Sequence, residues 1–386
     1  MFGAAPAARR AFRPQPCLPL TSAPPHTHTF FCAAWGKDIK SFLHDTTHWR
    51  NAELREQLAA GAPNFLDVVS SWQEQRDWCA TYAIGALAAV GHPLAAPVAA
   101  ALADLLPAGA PQPDPAALGF SPFAPGAVYR GAAAWALAFD GATGALSLLV
   151  DARAGGRAWA NASRDGSALG WLHYTALSAA DYDTFTGPEP LGYYPFADAP
   201  PSWFRLDFGK PNVSEAAPVH SETPAALVGL FLREDVGAAT FLVHTSWAAP
   251  NPALHTDYGA PGDAWLQLTV PRGAAGGAIA GELTVFGKTA TRLPEGLYLR
   301  FNASAGEGGT AWAVSKLGTE VDPFDVVPGG NHHQHGQGAA GASAVARDGG
   351  RLTVASADFA MAQFGAPIPL PAPVWANATS PSEGLR

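Results

Sequence analysis

Three histidines within four positions form the densest set of metal-binding side chains in the chain: His332, His333 and His335. Imidazole nitrogens bind zinc, so this run could hold a metal ion. No cysteine lies nearby, and the three cysteines of the chain form no C-x-x-C pair. A histidine run in a glycine-rich segment without further ligands favours a solvated loop. We therefore expect a solvated loop and assign no metal ligand, with metal binding by the three histidines as an alternative hypothesis. A variant of the loop interpretation keeps His335 as a hydrogen-bonding group in a sugar site or a structural site.

Two carboxylates, Asp181 and Asp183, flank Tyr182. A pair of carboxylates can cleave a glycosidic bond by acid/base chemistry when the two groups face each other across the substrate. Residues two positions apart point to opposite sides of a strand and share no helix face. Ser178, three positions before Asp181, instead fits a capping box at the start of a helix. The spacing therefore predicts a helix cap and no catalytic pair.

Two segments, Ser202–Pro211 and Phe286–Glu295, combine aromatic side chains with Arg, Lys and acidic residues. Aromatic faces stack on sugar rings, and charged groups bind sugar hydroxyls. The same residue types can also fasten a loop across the edge of a sandwich, and the sequence leaves both interpretations open. The usual motifs of serine hydrolases, zinc proteases and phosphate or dinucleotide loops are absent.

The elements that must position these residues change along the chain. Apolar residues at helical spacing predict helices that begin at Asp38 and Asn64 and end at Gly61 and Gly91, and a third over 94–106. Short connections between them imply antiparallel neighbours, and we expect a helical bundle segment over 35–106. Residues 107–125 contain six prolines and almost no charge. That composition is typical of a linker.

After residue 125 the apolar period becomes two, which is typical of strands. Trp135–Phe139 and Leu146–Val150 alternate around the turn Asp140–Gly144 and predict a hairpin. Further strands are predicted at Ala226–Arg233, Ala239–His244, Ala264–Val270, Glu282–Phe286, Gly296–Phe301, Thr310–Lys316 and Leu352–Ala355. No helices alternate with them. The sequence thus predicts an α+β multidomain protein, with a short α-helical bundle followed by a large antiparallel β-sandwich over 126–386.

The charge balance excludes some partners. Lys+Arg 23 against Asp+Glu 32 gives a formal net charge of −9, which disfavours a nucleic-acid partner, since that function needs a basic surface. No run of 18 apolar residues occurs, so no transmembrane helix and no membrane partner are expected.

Half of the eight asparagines lie in Asn-x-Ser/Thr acceptor motifs, at Asn161, Asn212, Asn302 and Asn377. This density predicts a glycoprotein of the secretory pathway or the extracellular space. Residues 1–34 hold three arginines and six prolines but no apolar core of a signal peptide. We expect this part to be a disordered leader, and the chain to be a fragment of a longer protein.

Taken together, the motifs resemble the C-terminal part of a glycoside hydrolase family 38-like (α-mannosidase-like) group, the family catalogued as domain of unknown function (DUF) 5054. The stretches that carry the resemblance span about residues 35–370: Trp35–Lys40, Asn64–Arg76, Trp159–Ala160, Ser178–Asp183, Asp207–Pro211, Thr291–Glu295, Lys316–Gly318, Val321–Val327 and His335.

The resemblance implies an architecture of barrel-like catalytic domain, helical bundle and mutarotase-like supersandwich, and a retaining mechanism with a zinc ion and an Asp nucleophile. The barrel has no counterpart in this chain. Ala33 and Ala34 stand before Trp35, where the related group has a zinc-binding histidine. The resemblance therefore assigns no catalytic residue, no metal ligand and no cofactor to this chain, and zinc is expected only in a full-length relative.

The leading hypothesis is a glycoside hydrolase-like fragment without the catalytic barrel, inactive alone, whose sandwich contacts carbohydrate. Motif position and side-chain chemistry together select the candidate carbohydrate-binding residues Asp207, Lys210, Arg292, Asp322 and His335. The alternative is a non-catalytic carbohydrate-binding or structural β-sandwich protein.

Overall fold

Antiparallel strands make up most of the regular structure. The structure is a computed structural model that describes residues 47–62, 84–104, 111–186, 212–248, 251–274, 277–304, 309–325, 339–356, 362 and 364. Within these residues the helices are α1 (Asn51–Ala59), α2 (Ala95–Asp104), α3 (Ala162–Asp165), α4 (Ala179–Thr186) and α5 (Pro252–Tyr258), with a further helical stretch at 84–89.

The strands pair in three sheets. The strands are β1 (Ser121–Pro122), β2 (Tyr129–Ala132), β3 (Trp135–Phe139), β4 (Leu146–Asp151), β5 (Arg157–Asn161), β6 (Ala168–Ala176), β7 (Ser221–Pro224), β8 (Ala226–Glu234), β9 (Ala238–Ser246), β10 (Asp263–Pro271), β11 (Ala280–Phe286), β12 (Glu295–Asn302), β13 (Ala311–Lys316), β14 (Thr319–Val321), β15 (Ala339–Val345) and β16 (Arg351–Ala355). The first sheet has the order β1-β8-β9-β10-β11. The second has the order β12-β6-β4-β3-β2, with β5 paired to β4 and β7 to β6. The third has the order β14-β13-β15-β16.

One hydrophobic core joins the three sheets. Phe241 of the first sheet lies 5.0 Å from Phe139 and 5.2 Å from Tyr129 of the second, measured between ring centroids. Trp312 and Val314 of the third sheet belong to the same buried cluster. Side chains alternate across a strand, so each sheet turns one row inward. The shared core confirms the predicted antiparallel β-sandwich at this coarse level.

The hairpin predicted at Trp135–Val150 is confirmed as β3 and β4. Asp140 builds the turn, since its carboxylate accepts hydrogen bonds from the backbone N–H groups of Ala142 and Thr143. The other strands that alternation predicts are also present, with bounds shifted by one or two residues. The sequence did not predict the remaining strands, which are β1, β2, β5, β6, β7, β14 and β15. Among them, β6 lies between β12 and β4 in the second sheet.

The predicted helix ends agree with the structure at two glycines. Gly61 and Gly91 follow helical residues with φ of 66° and 64°, the left-handed conformation that ends many helices. The predicted starts at Asp38 and Asn64 lie outside the described residues.

The described helices do not show the packing of a bundle. Val90 and Leu94 are 76% and 54% exposed. Helix α1 instead packs on the sandwich side, where Leu54 is buried and the Arg55 guanidinium donates to the carbonyl of Thr256 in α5. In the described part of the chain, no helix has the length and apolar character needed to cross a membrane.

Part of the proline-rich segment 107–125 is attached to the first sheet. Phe120 is buried with Leu242 and Trp265, and Pro122 in β1 pairs with Phe231 of β8. The side chain of Gln112 donates to Asp263 at 3.3 Å. The described residues 111–125 are therefore attached to the first sheet at three points along their length.

Gly144 offers a test of the close approach between the first two sheets. Its φ is 73°, and a Cβ would lie 2.6 Å from Cγ1 of Val243. Gly126 has a similar φ of 77°, with no atom within 4 Å of a Cβ. We expect Gly126→Ala to cost about 1–2 kcal/mol for the left-handed backbone alone. Gly144→Ala should cost a further ~1–3 kcal/mol from overpacking. Urea denaturation measures both, and equal losses would contradict the close packing.

Candidate functional site

The side chains of strand β6 point alternately to an apolar face and to a polar face of the second sheet. Leu172 and Tyr174 point into the core. Trp171, His173 and Thr175 alternate with them and point to the other face. Residues directly opposite on a neighbouring strand share that face. We call the following set the β6 face: Trp171, His173 and Thr175 of β6, Glu222 of β7, and Tyr298 and Arg300 of β12, placed together by the strand register.

Arg300 lies at the centre of the polar contacts of this face. Its Cζ is 5.2 Å from the ring centroid of Trp171. Its Nη1 lies 3.4 Å from Oε2 of Glu222 and 3.5 Å from Nδ1 of His173. The indole N–H of Trp171 donates to Nε2 of His173. An aromatic ring, a cation, a carboxylate and an imidazole therefore form one connected group of contacting side chains.

The face is partly accessible to solvent. The side chains of Arg300 and Glu222 are 14% and 29% exposed, and Trp171 and Tyr298 are half-buried. A Cβ on Gly296 would lie 2.5 Å from the Tyr298 ring, so the glycine lets this ring lie flat along β12. Thr175, opposite Gly296, is 1% exposed, and its hydroxyl has no hydrogen-bond partner among the described residues. The face thus contains a buried hydroxyl beside an aromatic ring.

Sequence reasoning missed this face because it missed β6. Gly170 has a φ of 71°, and the pairing register shifts where Phe301 lies opposite Leu169 and Arg300 opposite Trp171. This bulge places Leu169 and Leu172, three positions apart, on the same side. The apolar alternation is therefore interrupted. The signal that remains is the run from Trp171 to Ala176, in which polar and apolar positions alternate.

The opposite side of β6 holds a second polar group. The Tyr174 hydroxyl is hydrogen-bonded to Glu295 and lies 3.0 Å from the carbonyl oxygen of Tyr258. Lys288 Nζ lies 2.7 Å from Oε1 of Glu295. Burial, together with the negative charge of Glu295, raises the pKa of Tyr174 far above its ordinary value. This phenol remains protonated and acts as a fixed hydrogen-bonding group below the β6 face.

Among the predicted sugar-binding residues, Arg292 lies in a structural contact. It is 3% exposed, and its Cζ lies 4.1 Å from the Trp49 ring centroid. Its Nη1 donates to the carbonyl of His48 at 3.1 Å. Next to it, the Thr291 hydroxyl donates to the buried side chain of Asn51 at 2.7 Å. These contacts agree with the second interpretation of segment Phe286–Glu295, a loop fastened to its neighbour, here α1.

The other predicted site residues are spread over the chain. Asp322 follows β14 in the third sheet, is exposed, and accepts from the backbone N–H of Phe324 at 2.8 Å. Asp207, Lys210 and His335 lie outside the described residues, as do His332 and His333. Within the described ranges, no cluster of three or more His, Cys, Asp or Glu side chains is arranged to hold a metal ion.

The acceptor asparagines differ in their surroundings. Asn212 is exposed, with a φ of 63°, and its side chain makes no capping hydrogen bond. Asn161 caps α3, where its Oδ1 accepts from Ser163 Oγ at 2.9 Å. Asn302 ends β12, and Asn377 lies outside the described residues.

The capping box predicted at Ser178 and Asp181 is confirmed at the start of α4. The Ser178 hydroxyl accepts from the Asp181 N–H at 3.1 Å, and Asp181 Oδ2 accepts from the Ser178 N–H at 2.6 Å. Nδ1 of His220 lies 3.0 Å from the same carboxylate. Burial tends to raise the pKa of Asp181, but the hydrogen bonds from Ser178 and His220 outweigh burial and lower it. Asp181 is therefore an ionised capping group.

The contact between Arg292 and Trp49 can be measured by a double-mutant cycle. We expect Arg292→Met and Trp49→Leu to couple by about 0.5–2 kcal/mol in the free energy of unfolding, because the guanidinium lies over a buried ring. A control cycle uses Arg153 and Trp135. The Arg153 Cζ lies 4.6 Å from the Trp135 ring centroid, and 37% of the Arg153 side chain is exposed. It should give a smaller coupling. Additive effects at Arg292 and Trp49 would argue against a fastening role.

Comparison with known proteins assigns the chain to a family. No curated protein and no solved structure matches it. The model of a family described as "Domain of unknown function (DUF5054)" matches residues 26–275, well over half of the chain. This range includes β1 to β10 and most of the β6 face, whereas β12 follows it. The chain belongs to the DUF5054 family.

Proposed function

We propose that this chain contacts carbohydrate through the β6 face, as the sandwich part of a glycoside hydrolase family 38-like protein. One observation carries the proposal: the Arg300 guanidinium contacts the Trp171 ring, the Glu222 carboxylate and the His173 imidazole. The family resemblance in the sequence adds support, because it includes the loop Thr291–Glu295 that leads directly into β12.

The chemistry of a sugar fits the groups on this face. One side of a pyranose ring presents C–H groups, which pack on an aromatic ring such as that of Trp171. The hydroxyls of a sugar both donate and accept hydrogen bonds, and Arg300 and Glu222 supply the complementary donor and acceptor. Sites of this kind combine apolar surface with a few fixed polar groups. The partial exposure of Trp171 and Glu222 gives a ligand access to both.

The same proposal includes the domain architecture, the catalytic role and the compartment of the protein. The helices before residue 106 would form the bundle of the family 38-like architecture, and the three sheets a mutarotase-like supersandwich. We expect no glycosidic cleavage by this chain alone, and a zinc ion only in a full-length relative. The proposed compartment is the secretory pathway or the extracellular space, with Asn161, Asn212, Asn302 and Asn377 as glycan acceptors.

Four of the predicted residues stay proposed sugar contacts: Asp207, Lys210, Asp322 and His335. The burial of Arg292 makes it a positioning residue in the same proposal, since its loop leads into β12.

A structural β-sandwich without ligand is the second candidate. It is favoured by the mutual contacts of Trp171, His173 and Arg300, because these contacts already provide hydrogen-bond and cation–π partners for the three side chains. Under this candidate, the face would only stabilise the sheet.

A glycan array followed by titration distinguishes the two candidates. We expect the full chain to bind a subset of oligosaccharides, and Trp171→Ala to weaken that binding at least tenfold, because the ring supplies the stacking surface. Leu297→Ala is the matched control, since Leu297 is 40% exposed but precedes Tyr298 and points to the other side of β12. It should leave binding unchanged. A chain that binds no glycan, or a Trp171→Ala variant that binds as before, would favour the structural candidate.

A further inference from the structure

Asn302, a proposed glycan acceptor, lies on the same side of β12 as the β6 face. It is the last residue of the strand, two positions after Arg300. Side chains two positions apart on a strand point to the same side. The neighbouring residues agree with this direction, because Phe301 and Ala303 both pack with the main core cluster. A glycan on Asn302 would therefore leave the protein surface at one end of the β6 face.

The surroundings of the Asn302 side chain leave room for a glycan. The residue opposite on β6 is Ala168, which has a small side chain, and Asn302 itself is half-buried. Among the described residues, no hydrogen bond holds the side-chain amide of Asn302. An N-linked glycan is bulky and is attached to the amide nitrogen, so this nitrogen has to reach solvent.

The ring of Trp171 lies within reach of the first sugar of such a glycan. Trp171 is opposite Arg300, whose Cζ is 5.2 Å from the centroid of the ring. Asn302 lies two residues further along β12, which is about 7 Å at the rise of a strand. An asparagine side chain and the sugar on its amide nitrogen together span a comparable distance. The half-buried Trp171 offers aromatic surface to the C–H groups of that sugar.

Covalent attachment favours this contact over the binding of a free sugar. A single stacking contact binds a free sugar weakly, because association costs translational and rotational freedom. A group attached through a short flexible linker has instead an effective concentration in the millimolar range. The attached sugar therefore occupies the aromatic surface before a dilute free oligosaccharide does.

From this placement we propose that the N-glycan of Asn302 folds back onto the β6 face, where its first sugar packs on Trp171 beside Arg300. The inference rests on the proposed function, which includes both the carbohydrate contact and the glycan acceptors, and it adds the regulation of that site. The attached glycan competes with free oligosaccharides for the same surface. Occupancy of Asn302 therefore sets how much of the β6 face is open to them.

The acetyl methyl group of the first sugar reports this contact directly by NMR. The full chain is secreted from a eukaryotic host with isotope-labelled N-acetylglucosamine, and an endoglycosidase trims each N-glycan to its first sugar. Mass spectrometry of glycopeptides establishes which asparagines are occupied. Asn302→Gln and Asn212→Gln identify two methyl signals by their loss. Asn212 is the matched reference, because it precedes Val213, which packs with Trp49 and Leu293 at the other end of β12.

We expect Asn302 to be occupied and its methyl signal to lie upfield of the Asn212 signal, because an aromatic ring shields a group that packs on its face. Trp171→Leu should return the signal to the position of the Asn212 signal. The two signals are compared in the unmodified chain, so the test does not depend on the folding of the Trp171 variant. An Asn302 without glycan, or a signal that coincides with that of Asn212, would overturn the inference.

Binding of free oligosaccharides tests the competition. Oligosaccharides that bind the chain from a bacterial host, which adds no N-glycan, should bind the secreted chain at least about threefold more weakly. Asn302→Gln should restore binding to the secreted chain, whereas Asn212→Gln should not. Equal binding by the two chains would overturn the competition. If the bacterial chain binds no glycan, the proposed function fails, and the methyl signal decides separately whether the attached sugar lies on Trp171.

Discussion

The two-residue alternation of β6 is the constraint on which the rest of the structure depends. The strand pairs along its length with β12, touches β4 at Leu169, and pairs with β7 near its end. On one side it contributes Leu172 and Tyr174 to the buried cluster with Trp247. A register slip of one residue would exchange these side chains with the polar ones on the other face. Burial of the apolar side chains therefore also determines which side chains lie on the polar face. The bulge at Gly170 determines at which residues this alternation begins.

The neighbouring strands complete the face, and their positions depend on distant contacts. Strand β12 begins directly after the loop that Thr291 attaches to α1 and Arg292 attaches to the residues just before α1. Its first residue, Glu295, is also held by Tyr174 and Lys288. The start of β12 is thus fixed by one contact to the helical segment and one to the inside of the sandwich. Arg300, five residues later on the same strand, is thereby placed opposite Trp171.

The sequence predicted much of the sandwich but little of the site. Alternation identified β3, β4, β8 to β13 and β16 because their apolar rows are regular, and Asp140 marked the turn between β3 and β4. It could not identify β6, where a bulge changes the phase. Nor could composition show that Arg292 would be buried over Trp49, since the two residues are far apart in the chain and meet only in the fold. A charged residue in an aromatic segment gives the same sequence pattern whether the loop binds a ligand or packs against a neighbouring element.

Hydrogen–deuterium exchange, with and without a bound oligosaccharide, tests the central claim most directly. The measurement reports which backbone amides a ligand protects, without any substitution in the chain. If the β6 face contacts carbohydrate, protection should appear in β6, β7 and β12, and exchange in the first sheet should stay unchanged. Protection confined to the first or third sheet, or no change anywhere on saturation with a glycan that the chain binds, would contradict this account.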